Sequence, residues 1–298
     1  MTVLVVGSGF IGRAVADAVR AQGTRAVLAA RHRPDGAEDW TELDVTDAPT
    51  TRKAVEQVAP DAVVAVHGPS DVTWCQAHPE QAWTAHVDGA RQLANAAPNA
   101  RLVLVSTDNV FPGDRPDNDE DTPTRPANAY GAAKLAAERV FAKHPSGVVL
   151  RASLVYGADP GGPGRRVNFA AECLAQLRAG RSVTVPDPQW TTPVHVADLA
   201  AVIAACLRGP VPRLLHVSGP ERVSRLDWAR RIAARLGVPS AFVAGVPRKL
   251  SSYASRPENS CLISRRLPEL LATHELRLRD VDAGINALLA GPNRDIAQ

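Results

Sequence analysis

The sequence lacks the features that would assign it to a membrane or to a metal site. Its four cysteines are far apart and form no Cys-x-x-Cys pair, which argues against a zinc site and against a disulfide framework. No apolar run approaches the roughly 18 residues needed to span a bilayer. The segment after Met1 runs directly into the apolar residues 3–6, without the basic region of a signal peptide. We therefore expect a cytoplasmic protein with reduced thiols.

Clustered charge and aromatic residues are scarce as well. The formal net charge is only +3, the basic residues form no stripe, and 4% of the residues are aromatic. A surface that follows a nucleic-acid backbone needs clustered basic groups, often with aromatic rings on which bases stack. We expect a small-molecule substrate and neither nucleic acid nor membrane as a partner, and a homodimer is compatible with the sequence.

What the chain does have is the rhythm of a parallel sheet. Of its 298 residues, 45% are hydrophobic, enough to bury one large core or two unequal ones. Short apolar runs alternate with longer amphipathic stretches in the first half, as they do in a strand, helix and strand unit. The predicted strands are 3–6, 26–30, 62–66, 102–106 and 148–151. Because these runs are apolar throughout, helices should cover both faces of the sheet, so we predict a Rossmann-type, doubly wound α/β fold.

The pattern changes after residue 157. A stretch rich in glycine and proline, 158–165, precedes a predicted helix at 167–179. Apolar runs at 182–185 and 214–217, on either side of a predicted helix at 196–207, are expected to rejoin the sheet. Earlier in the chain, the acidic stretch 113–126 is expected to form an exposed loop.

These patterns predict two domains. The sheet domain is expected to comprise 1–157 with returning segments at about 182–219. Residues 158–181 and 220–298 are expected to form a smaller, discontinuous C-terminal lobe, with a ligand cleft between the two.

A glycine-rich turn, Gly7-Ser8-Gly9-Phe10-Ile11-Gly12, directly follows the first predicted strand and opens a helix that extends to about Gln22. In such a turn the first glycine permits a tight bend, the second lets the backbone approach a pyrophosphate, and the third lets the helix pack closely on the strand. The helix N-terminus also attracts phosphate charge. Between a strand and a helix, this motif predicts dinucleotide binding through Gly7, Gly9, Phe10, Ile11 and Gly12.

The end of the second predicted strand indicates which dinucleotide binds. An NAD site usually places an acidic residue there to hold the ribose 2′-hydroxyl, but this chain has Arg31-His32-Arg33. Arg31 and Arg33 can pair with a 2′-phosphate instead, which favours NADP(H) over NAD(H); a solvated basic loop is the alternative. Further along, Asp44 and Val45 follow a short third strand and are expected to cover the adenine.

A tyrosine and a lysine four residues apart are the clearest catalytic feature. Tyr130 and Lys134 lie in a predicted helix that starts near Asn128 and continues to about His144, so they share one face. A nearby ammonium and a cationic nicotinamide would lower the pKa of the phenol and make it an effective acid-base catalyst. Thr107, at the end of a predicted strand, is expected to orient the substrate oxygen. An ordinary exposed helix pair is the alternative interpretation.

These motifs resemble those of the extended short-chain dehydrogenase/reductases, most closely the dTDP-4-dehydrorhamnose reductase-like branch. The matching segments are 7–12, 106–113, 130 with 134, 150–157, 168–169, 193–200 and 256–260. The last segment, which begins Arg256-Pro257, is distinctive of the branch. The resemblance implies a catalytic triad of Thr107, Tyr130 and Lys134 in a Rossmann domain, and a small domain that binds a nucleotide-sugar.

The substrate side departs from this branch in several positions. The residues expected to contact substrate are Asp108, Asn109, Leu154, Asn168, Trp190 and Arg256. Asn109 replaces a tyrosine of the rhamnose-forming enzymes and Leu154 replaces an aromatic residue, which reduces the surface for sugar stacking. On the cofactor side, His67 and Gly68 replace an alanine-rich turn beside the nicotinamide and are expected to bind the cofactor. His86 stands where many relatives have asparagine. Counterparts of the glutamates that bind magnesium in some members are missing, so no metal is predicted.

The predicted function is therefore NADPH-dependent reduction of the keto group of a nucleotide-linked deoxysugar or a related specialised metabolite, with Tyr130 as proton donor. One alternative is an epimerase or dehydratase that retains NAD, which the basic residues near Arg31 disfavour. The other is a non-catalytic regulatory subunit that binds NADP, similar to the methionine adenosyltransferase beta subunit, because fold alone does not fix function.

Overall fold

The computed structural model describes residues 1–159, 167–251 and 253–291. The strands are β1 (Thr2–Val6), β2 (Arg25–Ala30), β3 (Trp40–Glu42), β4 (Ala62–Ala65), β5 (Arg101–Thr107), β6 (Gly147–Ala152), β7 (Val155–Tyr156), β8 (Val183–Asp187), β9 (Trp190–Thr191), β10 (Val194–His195), β11 (Leu214–Val217), β12 (Val223–Ser224), β13 (Val243–Pro247) and β14 (Asn259–Ser260). The predicted glycine- and proline-rich stretch lies outside the described residues from position 160 onward.

The helices alternate with the strands in the first half and cluster in the second. They are α1 (Phe10–Ala21), α2 (Ala48–Val58), α3 (Val72–Ala77), α4 (Pro79–Trp83), α5 (Gly89–Ala96), α6 (Ala129–Lys143), α7 (Phe169–Arg178), α8 (Val196–Cys206), α9 (Arg225–Arg235), α10 (Leu267–Thr273) and α11 (Val281–Ala290). A π-helical turn (Thr84–Asp88) joins α4 to α5. Within the described ranges, no helix has the length and apolar character needed to cross a membrane.

The central sheet has seven parallel strands in the order β11-β6-β5-β4-β1-β2-β3, which confirms the predicted Rossmann-type fold. The chain moves outward from β1 in one direction through β2 and β3, and in the other through β4, β5 and β6. The order therefore reverses between β1 and β4. In open α/β sheets, ligands bind in the crevice beyond the carboxyl ends of the strands at such a switch point.

Both faces of the sheet are buried. Val3 and Val5 of β1 pack into one cluster with residues of α1 and α8, whereas Leu4 and Val6 pack into a second cluster with residues of α5. Burial of one such side chain contributes about 1.5–3 kcal/mol. Helical cover on both sides thus explains why the strand sequences are apolar throughout instead of alternating.

A third cluster of buried residues forms the core of the remaining segments, around Trp228 of α9 and residues of α7 and α11. One predicted element was wrong here. The run 182–185 does not rejoin the central sheet, because β8 pairs with β13 in a separate two-stranded sheet. Val183 and Val185 pack in this third cluster. The run 214–217 does rejoin the sheet, as β11 beside β6.

The stretch 113–126 also differs from expectation. It contains no helix or strand, but its centre is buried: Asn118, Asp119 and Glu120 are 1%, 8% and 6% exposed. The Glu120 carboxylate accepts hydrogen bonds from the backbone N–H groups of His216 at 3.0 Å and Arg265 at 3.1 Å. Backbone donors from distant segments satisfy the carboxylate, and an acidic sequence alone does not show them.

Candidate active site

The glycine-rich turn lies at the switch point and leaves backbone donors open. Gly7 has a φ of +113°, which favours glycine, and a Cβ there would lie 2.8 Å from the Val66 carbonyl oxygen. A Cβ on Gly12 would lie 1.8 Å from the carbonyl oxygen of Gly7. Helix α1 starts after Gly9, whose lack of a side chain leaves the first N–H groups without a side-chain cap. The turn and helix start thus fit the pyrophosphate of a dinucleotide.

The residues expected at the adenosine end follow β2 and β3. Arg31 and Arg33 are exposed, and the Arg33 guanidinium donates to the Ala37 carbonyl at 3.1 Å. Asp44 Oδ1 accepts from the backbone N–H of Thr46 at 2.9 Å and from its hydroxyl at 2.7 Å. These hydrogen bonds outweigh partial burial and lower the pKa of Asp44, so its carboxylate is an ionised acceptor.

Two further contacts shape this end of the site. A Cβ on Gly89 would lie 3.0 Å from the Val45 side chain, so the start of α5 packs closely on Val45. Arg13, which the sequence did not single out, donates to the Ser8 carbonyl at 3.2 Å and to the Asp35 carbonyl at 2.9 Å. It thereby ties the glycine-rich turn to the loop after β2. Both acceptors are backbone carbonyl groups, so the identities of the residues do not predict the contact.

The structure brings Thr107, Tyr130 and Lys134 together beside the carboxyl end of β5. Asn128 caps α6 by accepting from the Gly131 N–H at 2.8 Å, which places Tyr130 and Lys134 in the first two turns. Thr107 is buried, and its hydroxyl is close enough to Tyr130 to act on the pKa of the phenol. Lys134 is 4% exposed, and its Nζ donates to the Val105 carbonyl at 2.7 Å.

The pKa of Tyr130 is shifted in the direction opposite to the one expected from the sequence. Burial, followed by the charges of Asp108 and Cys75, raises its pKa above the ordinary value, and the hydrogen bond with Thr107 only partly opposes this. The expected lowering is therefore not found in the protein alone, where burial and the charge of Asp108 act in the opposite direction. A phenol that keeps its proton is suited to donate it.

Behind Lys134 lies a charged group that the sequence did not reveal. Burial lowers the pKa of Lys134 to about 8, while the carboxylate of Glu138, one turn further along α6, opposes the decrease. Glu138 Oε1 accepts from the Ser106 hydroxyl at 2.5 Å, and Oε2 accepts from Arg151 at 2.8 Å. Ser106 is thus a structural neighbour of the site and Thr107 remains the candidate catalytic hydroxyl.

Two buried histidines lie on this side of the site: His67 follows β4, and His86 belongs to the π-helical turn and packs against Tyr130. The His86 ring packs edge-on against Tyr130 at 5.6 Å between centroids, and its Nε2 lies 3.0 Å from the Pro69 carbonyl oxygen. Burial and the Lys134 charge lower the pKa of His67 to about 3 and that of His86 well below its usual value. Both rings are therefore neutral at physiological pH. Gly68 has a φ of +92°, and a Cβ there would lie 2.4 Å from His86 Cε1.

Asp108 and Asn109 lie in the turn that follows Thr107, and their side chains form hydrogen bonds with other groups of the protein. Burial raises the pKa of Asp108 to about 6. Its carboxylate accepts from Thr107 at 3.1 Å, from the Asn109 amide at 2.8 Å and from Ser153 at 3.3 Å. The Asn109 amide also contacts Thr107 at 3.2 Å and accepts from Asn128 at 3.0 Å.

Arg256 reaches from the C-terminal segments to the sheet domain. Its guanidinium lies 3.9 Å from the Asp71 carboxylate and 3.4 Å from the Thr73 hydroxyl, at the start of α3, and packs over Tyr253 at 4.6 Å. Trp190, in β9, lies under the Arg222 guanidinium at 4.1 Å. The cation of Arg256 is therefore near the loop that carries Gly68.

The two other residues expected to contact substrate have clear structural roles. Asn168 caps α7 by accepting from Ala171 at 3.2 Å and donates to the Gly157 carbonyl at 2.9 Å. Leu154 is partly buried against the third hydrophobic cluster. Contact of either residue with a substrate stays a prediction.

The fold and this site define an NAD(P)-dependent oxidoreductase of the extended short-chain dehydrogenase/reductase class. Comparison with known proteins gives the family: residues 1–290 match the model described as the RmlD substrate binding domain. The chain belongs to that family, as its motifs indicated.

The relatives and one solved structure extend over most of the chain. A dTDP-4-dehydrorhamnose reductase from Streptomyces griseus is 34% identical over 220 residues, 70% of this chain and 67% of the relative. A methionine adenosyltransferase 2 subunit beta from Danio rerio is 26% identical, with 90% and 84% covered. The crystal structure of a dTDP-4-dehydrorhamnose reductase from Bacillus anthracis in complex with NADP has a TM-score of 0.81 at 23% identity, with 97% and 98% covered. At that identity, the structural likeness shows the fold.

Proposed function

We propose that this protein is an NADPH-dependent reductase that acts on the keto group of a nucleotide-linked deoxysugar. The observation that carries the proposal is the meeting of Thr107, Tyr130 and Lys134 at the carboxyl end of β5, on the same edge of the parallel sheet as the glycine-rich turn. Relatives named as dTDP-4-dehydrorhamnose reductases support the substrate class, and the relative solved with NADP supports the cofactor.

The residues at the turn and at the end of β2 suit NADPH. The N-terminus of α1 would hold the pyrophosphate, and Arg31 would pair with the 2′-phosphate, because no acidic residue stands at the end of β2. When bound, the cofactor supplies hydride to the substrate carbonyl carbon.

The chain's own residues would handle the substrate oxygen. Thr107 donates a hydrogen bond that orients the oxygen, and Tyr130 transfers its phenolic proton to it as negative charge develops. Lys134 places a buried positive charge beside this centre, where low dielectric strengthens its effect on the developing anion. Because its pKa is raised, the phenol of Tyr130 carries a proton at neutral pH, and an alkoxide is basic enough to take it.

The decisive assay uses the purified protein, NADPH and a panel of dTDP-4-keto-6-deoxy sugars, with loss of NADPH absorbance as the readout. We expect turnover with NADPH, and almost none for Tyr130→Phe, which should still bind the cofactor. Absence of turnover across the panel would reject the substrate class, and full activity of Tyr130→Phe would reject the proton donor. Tightly held NAD released on denaturation would instead indicate an epimerase.

A second candidate is a regulatory subunit without catalysis. It is favoured by the match to methionine adenosyltransferase 2 subunit beta, which extends over 90% of this chain. This candidate predicts that NADP raises the Tm of the protein, that no keto-sugar is reduced, and that a methionine adenosyltransferase catalytic subunit co-elutes with it in size-exclusion chromatography.

A further inference from the structure

We propose that Asn109 is a positioning residue that makes Thr107 a hydrogen-bond donor in the reduction step. The proposal rests on the proposed reductase function and revises the expectation that Asn109 contacts the substrate. It follows from a chain of side-chain hydrogen bonds from the start of α6 to the Thr107 hydroxyl, in which each amide has only one possible orientation.

The chain begins at Asn128, whose two partners fix its amide. The Gly131 N–H can only donate, and it lies 2.8 Å from Asn128 Oδ1. The Ser255 carbonyl can only accept, and it lies 3.1 Å from Asn128 Nδ2. Exchange of the oxygen and nitrogen would leave both contacts repulsive, so the amide nitrogen faces away from α6.

The orientation of Asn128 determines that of Asn109. Asn128 Nδ2 donates to Asn109 Oδ1 at 3.0 Å. The NH2 group of Asn109 therefore faces the opposite way, where its Nδ2 lies 2.8 Å from Asp108 Oδ1 and 3.2 Å from Thr107 Oγ1. All the hydrogen-bonding groups of the Asn109 amide are thus engaged within the protein.

The consequence falls on the single proton of Thr107. Its hydroxyl oxygen has two lone pairs, and both are approached by donors from Asn109: the backbone N–H at 3.1 Å and the side-chain NH2 at 3.2 Å. The hydroxyl can then interact with a further group only by donating. Its proton now has Asp108 Oδ1 within 3.1 Å, and a substrate carbonyl oxygen, which only accepts, would take that place.

The arrangement also separates the roles of Thr107 and Tyr130. Because both lone pairs of Thr107 are engaged by Asn109, Thr107 cannot accept a hydrogen bond from the phenol. The phenolic proton of Tyr130 is then available for the substrate oxygen. Asn109 acts in this way without contact with the reacting atoms.

A double-mutant cycle tests this indirect role. Asn109→Leu keeps the side-chain size and removes the NH2 group, and Thr107→Val removes the hydroxyl alone. We expect Asn109→Leu to lower kcat about tenfold, less than the loss of about 10²–10³ for removal of a whole oxyanion donor, with KM for the keto-sugar changed by less than about twofold. In the Thr107→Val background, Asn109→Leu should change kcat by less than about twofold.

The opposite pattern would overturn the proposal. If Asn109 contacts the substrate itself, the double variant should lose kcat by the product of the two single losses. Alternatively, Asn109→Leu should raise KM and leave kcat unchanged. Asn99→Leu, an exposed position before β5, is the control and should leave both constants unchanged. Asn109→Ala serves as a second variant should Asn109→Leu lower Tm strongly, because it removes the same NH2 group without placing an apolar side chain of that size beside Asp108.

A measurement without turnover separates this proposal from the proposed function. In NMR spectra of the 15N-labelled protein, Thr107→Val should shift the side-chain NH2 signals of Asn109 and leave those of Asn99 in place. Unchanged Asn109 signals would refute the hydrogen bond to Thr107 whatever the enzyme's activity. If the Asn109 signals shift in Thr107→Val but the wild-type protein has no reductase activity, only the proposed function is rejected.

Discussion

Glu138 and Arg151 form a buried ion pair behind the catalytic face of α6, with 2.8 Å between Oε2 and Nη2 and side chains only 7% and 6% exposed. The pair joins the helix that carries Tyr130 and Lys134 to β6. It also holds Ser106 of β5 through the second carboxylate oxygen. One carboxylate therefore fixes the distance between the two elements that supply the candidate triad.

Removal of the cation should destabilise the protein strongly. Arg151→Met leaves the Glu138 carboxylate buried without its partner, which typically costs about 3–5 kcal/mol in the free energy of unfolding. Urea denaturation should show the loss. The double variant Glu138→Leu/Arg151→Met should recover most of it, because apolar residues can replace a buried pair at little cost. Equal stability of the single and double variants would contradict this account.

The lowered pKa of Lys134 predicts that activity declines at alkaline pH. Its ammonium is present below its pKa, which burial lowers to about 8, so the rate should fall as pH rises through about 8. Glu138→Gln removes the carboxylate that opposes this decrease, and the fall should therefore move to lower pH. A pH profile of kcat/KM measures it, with the exposed Glu56→Gln as control. Identical profiles for Glu138→Gln and wild type would exclude the coupling.

How much of this could be predicted depends on the range of the interactions. The strands, the glycine-rich turn and the Tyr130–Lys134 spacing are local patterns, and each was found within a few residues of its predicted place. The Glu138–Arg151 pair joins residues 13 positions apart in different elements, and Glu120 binds backbone groups about a hundred positions away. In sequence these carboxylates look like ordinary surface residues.

The same reason explains the misplaced strand and the pKa of Tyr130. An apolar run such as 182–185 predicts a strand but not its partner, and β13, about sixty residues later, provides it. Likewise, the i, i+4 spacing predicts that Tyr130 and Lys134 share a face. It does not show that the Val105 carbonyl holds the ammonium or that Asp108 lies close enough to raise the pKa of the phenol.

Gly68 and His86 should depend on each other. Gly68→Ala adds a Cβ that would lie 2.4 Å from His86 Cε1, and the residue has a φ of +92°. The left-handed conformation alone costs about 1–2 kcal/mol, so the steric clash should lower Tm further. Gly36→Ala is a matched control, with a φ of +70° and no atom within 4 Å of the new Cβ. Combining His86→Ala with Gly68→Ala should restore part of the Tm lost in Gly68→Ala. If the double variant regains none of it, contact with the His86 ring is not the cause of the loss.

Arg31 should determine the preference between the two dinucleotides. It is exposed at the end of β2, where an acidic residue would hold the 2′-hydroxyl of NAD. A charge-assisted hydrogen bond is worth about 1.5–3 kcal/mol, so Arg31→Asp should weaken NADPH binding about tenfold to a hundredfold. The variant should bind NADH more tightly, because its carboxylate can accept from the ribose hydroxyl. Fluorescence titration with both cofactors measures the change, with Arg52→Asp on the exposed face of α2 as control. If Arg31→Asp weakens the binding of NADPH and NADH equally, Arg31 does not recognise the 2′-phosphate.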